Sequence, residues 1–231
     1  MELLPNLHWI EGRISNIYLW LGDNGIILVD TGQPKDAGRI LDYVSQLGRK
    51  LSEVVAILIT HADQDHAGSA AVIHAETNAI VCCGPETAQL LITGESPKHA
   101  PWPVQLIMDR FFRYQPVSKE AIRVVADGEM IFDAGDWQAL ATPGHSQDHF
   151  AFYSNVNGVL FAGDALNTRG GRLKSSPSRF SDDLEMAHQS AMRLLRLTPA
   201  LWTCGHGKPL ASIDADQVMF LYHQLQGDWT E

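Results

Sequence analysis

Residues 53–60 read EVVAILIT, and this nearly unbroken apolar run constrains the fold more than any other stretch of the chain. A strand without a polar face is expected inside a sheet that is covered on both sides. The run ends abruptly in HADQDHAG, residues 61–68, which places two histidines and two aspartates within six positions. The stretch therefore predicts a buried strand that presents a group of polar side chains at its end.

The rest of the chain alternates between strand-like and helix-like patterns. Strand patterns fill the first thirty residues, with a DNG hairpin signal at 23–25, and return after Ala121 with a second signal at Asn157-Gly158. Ser181 is a candidate N-cap. Apolar spacing predicts helices over residues 35–48, 67–77, 85–92, 182–197 and 214–226. Because the two halves share this element order, we expect mixed sheets with helices outside them, an α/β fold.

Composition narrows the partners that can be expected. The 27 acidic and 17 basic side chains give a net charge of −10, which disfavours nucleic acid as a partner. The chain shows neither a basic, apolar leader nor a run of about 18 apolar residues, so no membrane partner is expected. We therefore predict a cytoplasmic protein, a monomer or homodimer, that acts on a small-molecule substrate.

The candidate ligands stand where predicted strands end. They comprise four imidazoles and three carboxylates on four loops, without cysteine, and such a donor set suits Zn, Fe, Mn or Co. Loops at strand ends are where a rigid sheet presents reactive groups. The candidates are His61, Asp63, Asp65, His66, His145, Asp164 and His206.

Four motifs carry these residues in a fixed order: THADQDHAG, TPGHS, FAGDAL and CGHGKPL. In this order and spacing they resemble the metallo-β-lactamase superfamily, in its glyoxalase II-like branch of small hydrolases. The resemblance extends from GIILVDTG to GHGKPL, nearly the whole chain. It implies a single domain over residues 1–231, folded as a four-layer αββα sandwich of two mixed β-sheets with helices on the outer faces.

The resemblance also implies two divalent metal ions per chain, with Zn²⁺ as the first expectation and Mn²⁺ or Fe as alternatives. Asp164 and a hydroxide would bridge the two ions, and the hydroxide would be the nucleophile. Asp65 would orient that hydroxide and carry a proton, which makes it the catalytic residue. The ligands would be His61, residue 63 and His145 for the first ion, and Asp65, His66 and His206 for the second.

Asp63 departs from the superfamily's commonest pattern, His-x-His-x-Asp-His. Three interpretations are open: Asp63 binds the first metal, Asp63 is too short to reach it, or the site is a relic. A carboxylate at this position, as Glu, is also found in the similar flavodiiron oxygen and nitric oxide reductases. If Asp63 binds, its negative charge predicts a first site that favours harder ions such as Mn or Fe over Zn.

Three further residues near the motifs have two interpretations each. Asp30 could hold a ligand histidine or could simply end a strand, and His149 could support the site or lie on a strand surface. Cys204 could approach a metal or could be a buried strand residue. Sequence alone identifies no substrate-binding residue.

Residues 93–117 interrupt the alternation with an aromatic-rich segment, predicted as a loop-plus-helix insertion. It contains Trp102, Phe111, Phe112 and Tyr114. The insertion could form the lid or wall of an apolar substrate pocket. A dimer contact or plain packing explains the same residues equally well.

These features predict a dinuclear-metal hydrolase of ester, thioester or lactone bonds. The alternative is a di-iron or mononuclear iron redox enzyme, similar to oxygen or nitric oxide reductases or to sulfur dioxygenases. A phosphodiesterase or nuclease is a third hypothesis, which the net charge of −10 disfavours.

Overall fold

Residues 1–98, 113–131 and 137–227 are described by the structure, a computed structural model. The chain divides into two compact units, Met1–Val125 and Ala126–Glu231. Each unit has its own sheet and its own apolar core. The single domain expected over residues 1–231 stays a prediction.

The first unit is built on a mixed sheet in which the strands lie in chain order. The first four strands pair antiparallel, and the later ones pair parallel to β4 and to one another. The predicted DNG hairpin joins β3 to β4, where Gly25 has the positive φ of 134°. In the described part of this unit the strands are β1 (Glu2–Leu4), β2 (Leu7–Glu11), β3 (Asn16–Gly22), β4 (Gly25–Val29), β5 (Val54–Leu58), β6 (Ile80–Cys83) and β7 (Ile122–Val124).

The parallel strands of the first unit are joined through helices. Its described helices are α1 (Ala37–Gln46), α2 (Gln64–Ala67), α3 (Ala70–Thr77) and α4 (Pro85–Thr93). α1 buries Ile40 and Val44 against the sheet, as its apolar spacing predicts. The helix predicted over 67–77 corresponds to α3, which begins only at Ala70; the short helix α2 inside the HADQDHAG cluster was not predicted. Gly68 separates α2 from α3; a Cβ there would lie 2.3 Å from the Gln64 carbonyl oxygen.

The second unit contains a second mixed sheet, in the order β15-β14-β11-β10-β9-β8. Only β11 and β14 pair parallel among its described strands. A separate hairpin, β12–β13, was not predicted; its strands are only two residues long, too short for a periodic pattern. The strands are β8 (Met130–Ile131), β9 (Trp137–Ala141), β10 (Phe150–Ser154), β11 (Val159–Phe161), β12 (Leu166–Asn167), β13 (Lys174–Ser175), β14 (Leu201–Thr203) and β15 (Leu210–Ala211).

The described helices of the second unit are α5 (Leu184–Leu195) and α6 (Ala215–Gln226). The N-cap of α5 is Asp183, whose side chain accepts a hydrogen bond from the Met186 N–H at 2.9 Å. The prediction of Ser181 as N-cap is therefore wrong. Asp183 stands next to the first helical residue, where a carboxylate can reach a free backbone N–H of the first turn.

The predicted α/β class, with two mixed β-sheets and helices, is confirmed. Within the described ranges, no helix is both long and apolar enough to span a membrane. Trp102, Phe111 and Phe112 lie outside the described residues, so the lid and dimer-contact interpretations of residues 93–117 stay predictions.

Gly144, which precedes His145, supplies a stability test. Its φ is 129°, and a Cβ there would lie 2.1 Å from the Ala187 backbone nitrogen in α5. We expect Gly144→Ala to lower the free energy of unfolding by about 3 kcal/mol or more, because backbone strain and a backbone overlap add. Urea unfolding measures the change.

Gly171 provides the matched control for Gly144. It also has a positive φ, 72°, but an added Cβ would meet nothing within 4 Å. Gly171→Ala should lower the free energy of unfolding by only about 1 kcal/mol. Equal losses in the two variants would contradict the close packing of α5 on Gly144.

Candidate functional site

The carboxylate of Asp30 organises the histidines of the first unit. Asp30 follows β4 and is 3% exposed, and its φ of 57° lies in the left-handed region that aspartate tolerates better than most residues. Its side chain accepts hydrogen bonds from the Thr60 N–H at 2.8 Å and the Thr60 hydroxyl at 2.9 Å. Nδ1 of His66 lies 2.8 Å from the same carboxylate. Asp30 therefore holds a candidate ligand, as one of its two interpretations predicted.

The proton positions in this network follow from the chemistry of the partners. A carboxylate only accepts, so Nδ1 of His66 is assigned the proton. The Thr60 hydroxyl gives its single proton to Asp30 and therefore accepts from Nδ1 of His61, 3.0 Å away. Both imidazoles are thus fixed with the lone pair on Nε2. That nitrogen is the one a histidine offers to a metal when Nδ1–H is held by the protein.

Two carboxylates face these Nε2 atoms. Asp63 Oδ2 lies 3.3 Å from His61 Nε2, and Asp65 Oδ2 lies 3.9 Å from His66 Nε2. The two imidazole rings have centroids 4.1 Å apart and are fully buried. Asp63 is the N-cap residue of α2, yet its side chain makes no capping hydrogen bond. Its carboxylate instead lies beside His61.

Neighbouring loops fix the backbone of α2. The Thr31 N–H and hydroxyl both donate to the His66 carbonyl, at 2.7 and 3.0 Å. The Ser15 hydroxyl donates to the Asp65 carbonyl. The side chains of the predicted ligands therefore project from a short segment whose own carbonyls are anchored.

In the second unit, two imidazoles share the carboxylate of Asp164. Asp164 Oδ2 lies 3.1 Å from His206 Nε2 and 3.7 Å from His145 Nε2. The loops that carry Asp164 and His206 are joined by a hydrogen bond from the Gly205 N–H to the Gly163 carbonyl, at 2.8 Å. The structure thus brings the three predicted residues of this unit together.

His149 holds the backbone of Asp164 in this second group. It is fully buried, and its Nε2 accepts the Asp164 backbone N–H at 2.9 Å. The proton is therefore assigned to Nδ1, which lies 2.7 Å from the Thr142 hydroxyl. His149 is neutral in this arrangement and holds the backbone of Asp164. It is not a strand-surface residue.

Cys204 is fully buried after β14. Burial, and secondarily the negative charge of Asp164, raises the pKa of its thiol well above the usual range. A metal ligand must be the thiolate, so this environment opposes ligation. Cys204 matches the interpretation as a buried strand residue.

The histidine–carboxylate pairs within each unit are spaced as two ligands of one divalent metal ion are. Two ligand atoms bound to one tetrahedral ion at about 2.0–2.2 Å are about 3.3–3.6 Å apart. The four nitrogen–oxygen separations within the units, 3.1, 3.3, 3.7 and 3.9 Å, bracket that value. Imidazole Nε2 and carboxylate oxygens are donors that suit Zn, Mn and Fe.

The groups that support the candidate ligands are less evident in the sequence than the candidate ligands themselves. Thr60 and Ser176 were not predicted, although Thr60 directly precedes His61. Ser176 Oγ lies 3.2 Å from His145 Nδ1 across 31 residues of chain, and no local pattern signals such a contact.

Comparisons with known proteins agree with this geometry. The family model described as "Metallo-beta-lactamase superfamily" matches residues 10–206. The probable metallo-hydrolase YflN of Bacillus subtilis (strain 168) is 26% identical, with 90% of this chain and 86% of that protein covered. A hydroxyacylglutathione hydrolase of Idiomarina loihiensis is 28% identical, with 77% of this chain and 58% of that protein covered.

A solved structure is similar in fold over almost the whole chain. The metallo-beta-lactamase family protein from Thermus thermophilus has a TM-score of 0.75 and 27% identity. The match covers 98% of this chain and 81% of that one. The fold class predicted from the motifs is confirmed by this neighbour.

Asp30 provides a test of the support given to the histidines. In Asp30→Asn, the NH2 group of the new amide must face either Thr60 or the Nδ1–H of His66. Both of these positions hold a donor and require an acceptor. We expect the variant to bind Zn²⁺ or Mn²⁺ about 10- to 100-fold more weakly. Competition with a chromophoric chelator measures the affinity.

Asp36→Asn is the control for Asp30→Asn. Asp36 is also buried, directly before α1, but its carboxylate accepts from the Gln33 N–H at 2.9 Å and lies 3.8 Å from Arg13 Nε. The metal affinity of this variant should stay within about threefold of wild type, since the histidines keep their partners. Similar losses in both variants would show that loss of charge alone, and not the Asp30 contacts, weakens binding.

Proposed function

Because the chain belongs to the metallo-β-lactamase superfamily, whose model matches residues 10–206, we propose that it hydrolyses ester, thioester or lactone bonds with two divalent metal ions. The predicted broader class, a metal-dependent hydrolase, is confirmed by relatives named as metallo-hydrolase and hydroxyacylglutathione hydrolase. The scissile bond, the number of ions and their identity belong to the proposal.

One observation carries the proposal. In the first unit both imidazoles are held at Nδ1 by Asp30 or Thr60, which leaves Nε2 beside a carboxylate. Such an arrangement is typical of histidines that bind a metal, since the group at Nδ1 sets the tautomer and the ring direction. An Nε2 lone pair that faces a carboxylate oxygen is repelled by it unless a cation lies between the two atoms.

The proposed ligand sets follow the superfamily resemblance. When bound, such a pair of ions lowers the pKa of a water molecule and polarises the carbonyl oxygen of the substrate. The Asp63 carboxylate beside His61 supports the interpretation in which Asp63 is a ligand. We propose His61, Asp63 and His145 for the first ion, Asp65, His66 and His206 for the second, and Asp164 shared by both.

Asp65 is the residue that we propose as catalytic. Its side chain is 22% exposed, whereas that of Asp30 is 4% exposed and engaged with three donors. A carboxylate that is partly exposed to solvent can orient a water molecule and accept its proton. Ser15 fixes the Asp65 carbonyl, so the carboxylate acts from a defined position.

An acyl substrate is supported by one relative's name. The Idiomarina loihiensis protein is named as a hydrolase of hydroxyacylglutathione, although this chain covers only 58% of it. The metal analysis and substrate panel described next also test the iron redox enzyme and the phosphodiesterase as alternatives. A cytoplasmic location, a monomeric or homodimeric state and the absence of a nucleic-acid partner stay predictions.

The function is tested by metal analysis and a substrate panel. We expect protein purified without chelators to carry two Zn²⁺ or Mn²⁺ per chain and to hydrolyse a lactone, a thioester or an aryl ester. Chelation should abolish the activity, and added metal should restore it. Two bound irons with oxygen or nitric oxide reduction, or cleavage of phosphodiesters alone, would contradict the proposal.

Two histidine variants separate the loss of a proposed ligand from a general effect of removing a histidine. His66→Ala removes a proposed ligand and should lower kcat/KM at least about 100-fold, the upper range seen even for supporting residues. His188→Ala makes the same chemical change in α5, outside the donor sets, and should leave kcat/KM unchanged. Equal kcat/KM in the two variants would remove His66 from the site.

Asp63 predicts the metal preference of the first site. Its negative charge should favour Mn²⁺ or Fe²⁺ over Zn²⁺ relative to a site with imidazole there. We expect competitive loading to give a higher Mn:Zn ratio in wild type than in Asp63→His, measured by elemental analysis. Two zincs taken up by both proteins without discrimination would contradict this prediction.

A further inference from the structure

The segments before and after residues 99–112 lie beside residues 61–66, which carry the candidate ligands of the first unit. The Tyr114 N–H donates to the Gly94 carbonyl at 3.2 Å, and the Tyr114 hydroxyl lies 3.0 Å from the Glu95 carbonyl oxygen. The guanidinium of Arg113 pairs with the Glu95 carboxylate at 2.9 Å. Residues 94–95 and 113–114 therefore form one bonded strip.

This strip contacts both sequence neighbours of Asp63. The Tyr114 hydroxyl lies 3.0 Å from the carbonyl oxygen of Ala62, the residue before Asp63. The side chain of Gln64, the residue after Asp63, donates from Nε2 to the Arg113 carbonyl at 3.2 Å. Asp63 is thus bracketed by two hydrogen bonds to consecutive residues of one strip.

Tyr114 suits a positioning task. It is 7% exposed and packs in the apolar core of the first unit, so its ring has little freedom. Its hydroxyl carries one proton and faces two carbonyl oxygens at the same distance, so it holds Ala62 and Glu95 together through a shared donor. Tyr114→Phe keeps the ring and removes only that donor.

We propose that Tyr114, assisted by the Arg113 carbonyl, positions the backbone at Asp63 so that its carboxylate reaches the first metal. A carboxylate extends less far from the backbone than Nε2 of an imidazole does, so small backbone shifts matter more at an aspartate ligand. The strip makes hydrogen bonds to the residues on both sides of Asp63, the position at which the sequence departs from the common motif. The proposal rests on the proposed function, since it requires Asp63 to be a ligand.

The first test measures metal affinity in Tyr114→Phe. We expect one of the two metal-binding constants, measured with Mn²⁺ or Zn²⁺ against a chromophoric chelator, to fall about 10-fold or more, with the other unchanged. The control is Tyr153→Phe, a buried tyrosine of β10 whose hydroxyl lies 3.3 Å from Asn155 Oδ1. The control should keep both constants, and the metal-free forms of the two variants should have Tm values close to each other.

The second test asks whether Tyr114 acts through Asp63. In an Asp63→His background the longer imidazole should tolerate the lost hydrogen bond, so Tyr114→Phe should weaken the first site less than about threefold. A double-mutant cycle on the binding constants gives this coupling. An equal loss in both backgrounds, or no loss in either, would overturn the positioning role.

The outcomes separate the two proposals. If wild-type protein binds no metal, the proposed function fails. If wild-type protein binds two ions and Tyr114→Phe binds both with unchanged affinity, the proposed function stands and the role of Tyr114 is refuted.

Discussion

The contact between the buried Asp30 carboxylate and its donors is the constraint on which the candidate ligands of the first unit depend. Burying a carboxylate is costly unless hydrogen bonds replace its water. Here two groups of Thr60 and one nitrogen of His66 replace it. The same bonds fix the protons of both imidazoles, so the stabilisation of one buried charge also directs the lone pairs of two candidate ligands. The left-handed backbone at Asp30, with φ 57°, is the strain that this arrangement retains.

The two donor sets are supported by different chemistry. His66 is backed by a carboxylate, whereas His145 is backed by a serine hydroxyl and the backbone of Asp164 by the neutral imidazole of His149. A carboxylate at Nδ1 makes an imidazole a more basic ligand than a hydroxyl does. In the proposed ligand sets each ion takes one carboxylate of the first unit, Asp63 or Asp65, together with the shared Asp164.

The sequence predicted features that depend on neighbouring positions, but not the contacts between residues far apart in the chain. The strand at 54–58, the helix at 37–46 and the seven candidate donors follow from apolar runs and from polar residues at strand ends, which are properties of neighbouring positions. The supports are long-range: Asp30 meets His66 across 36 residues, and Tyr114 meets Ala62 across 52. Periodicity indicates that a side chain is buried but not which partner it meets. For this reason Asp30 and His149 kept two interpretations each until the fold placed their partners.

At Asp63 the usual capping preference of a helix N-terminus is not followed. An aspartate at an N-cap ordinarily accepts a backbone N–H of the first turn, which is worth about 1 kcal/mol. The α2 N-cap makes no such bond, and its carboxylate lies 3.3 Å from His61 Nε2 instead. Natural sequences break such local preferences chiefly where function requires it. A decayed site would have no selection against the capping geometry. The forgone cap therefore favours an Asp63 that is retained as a ligand over an Asp63 that is a relic.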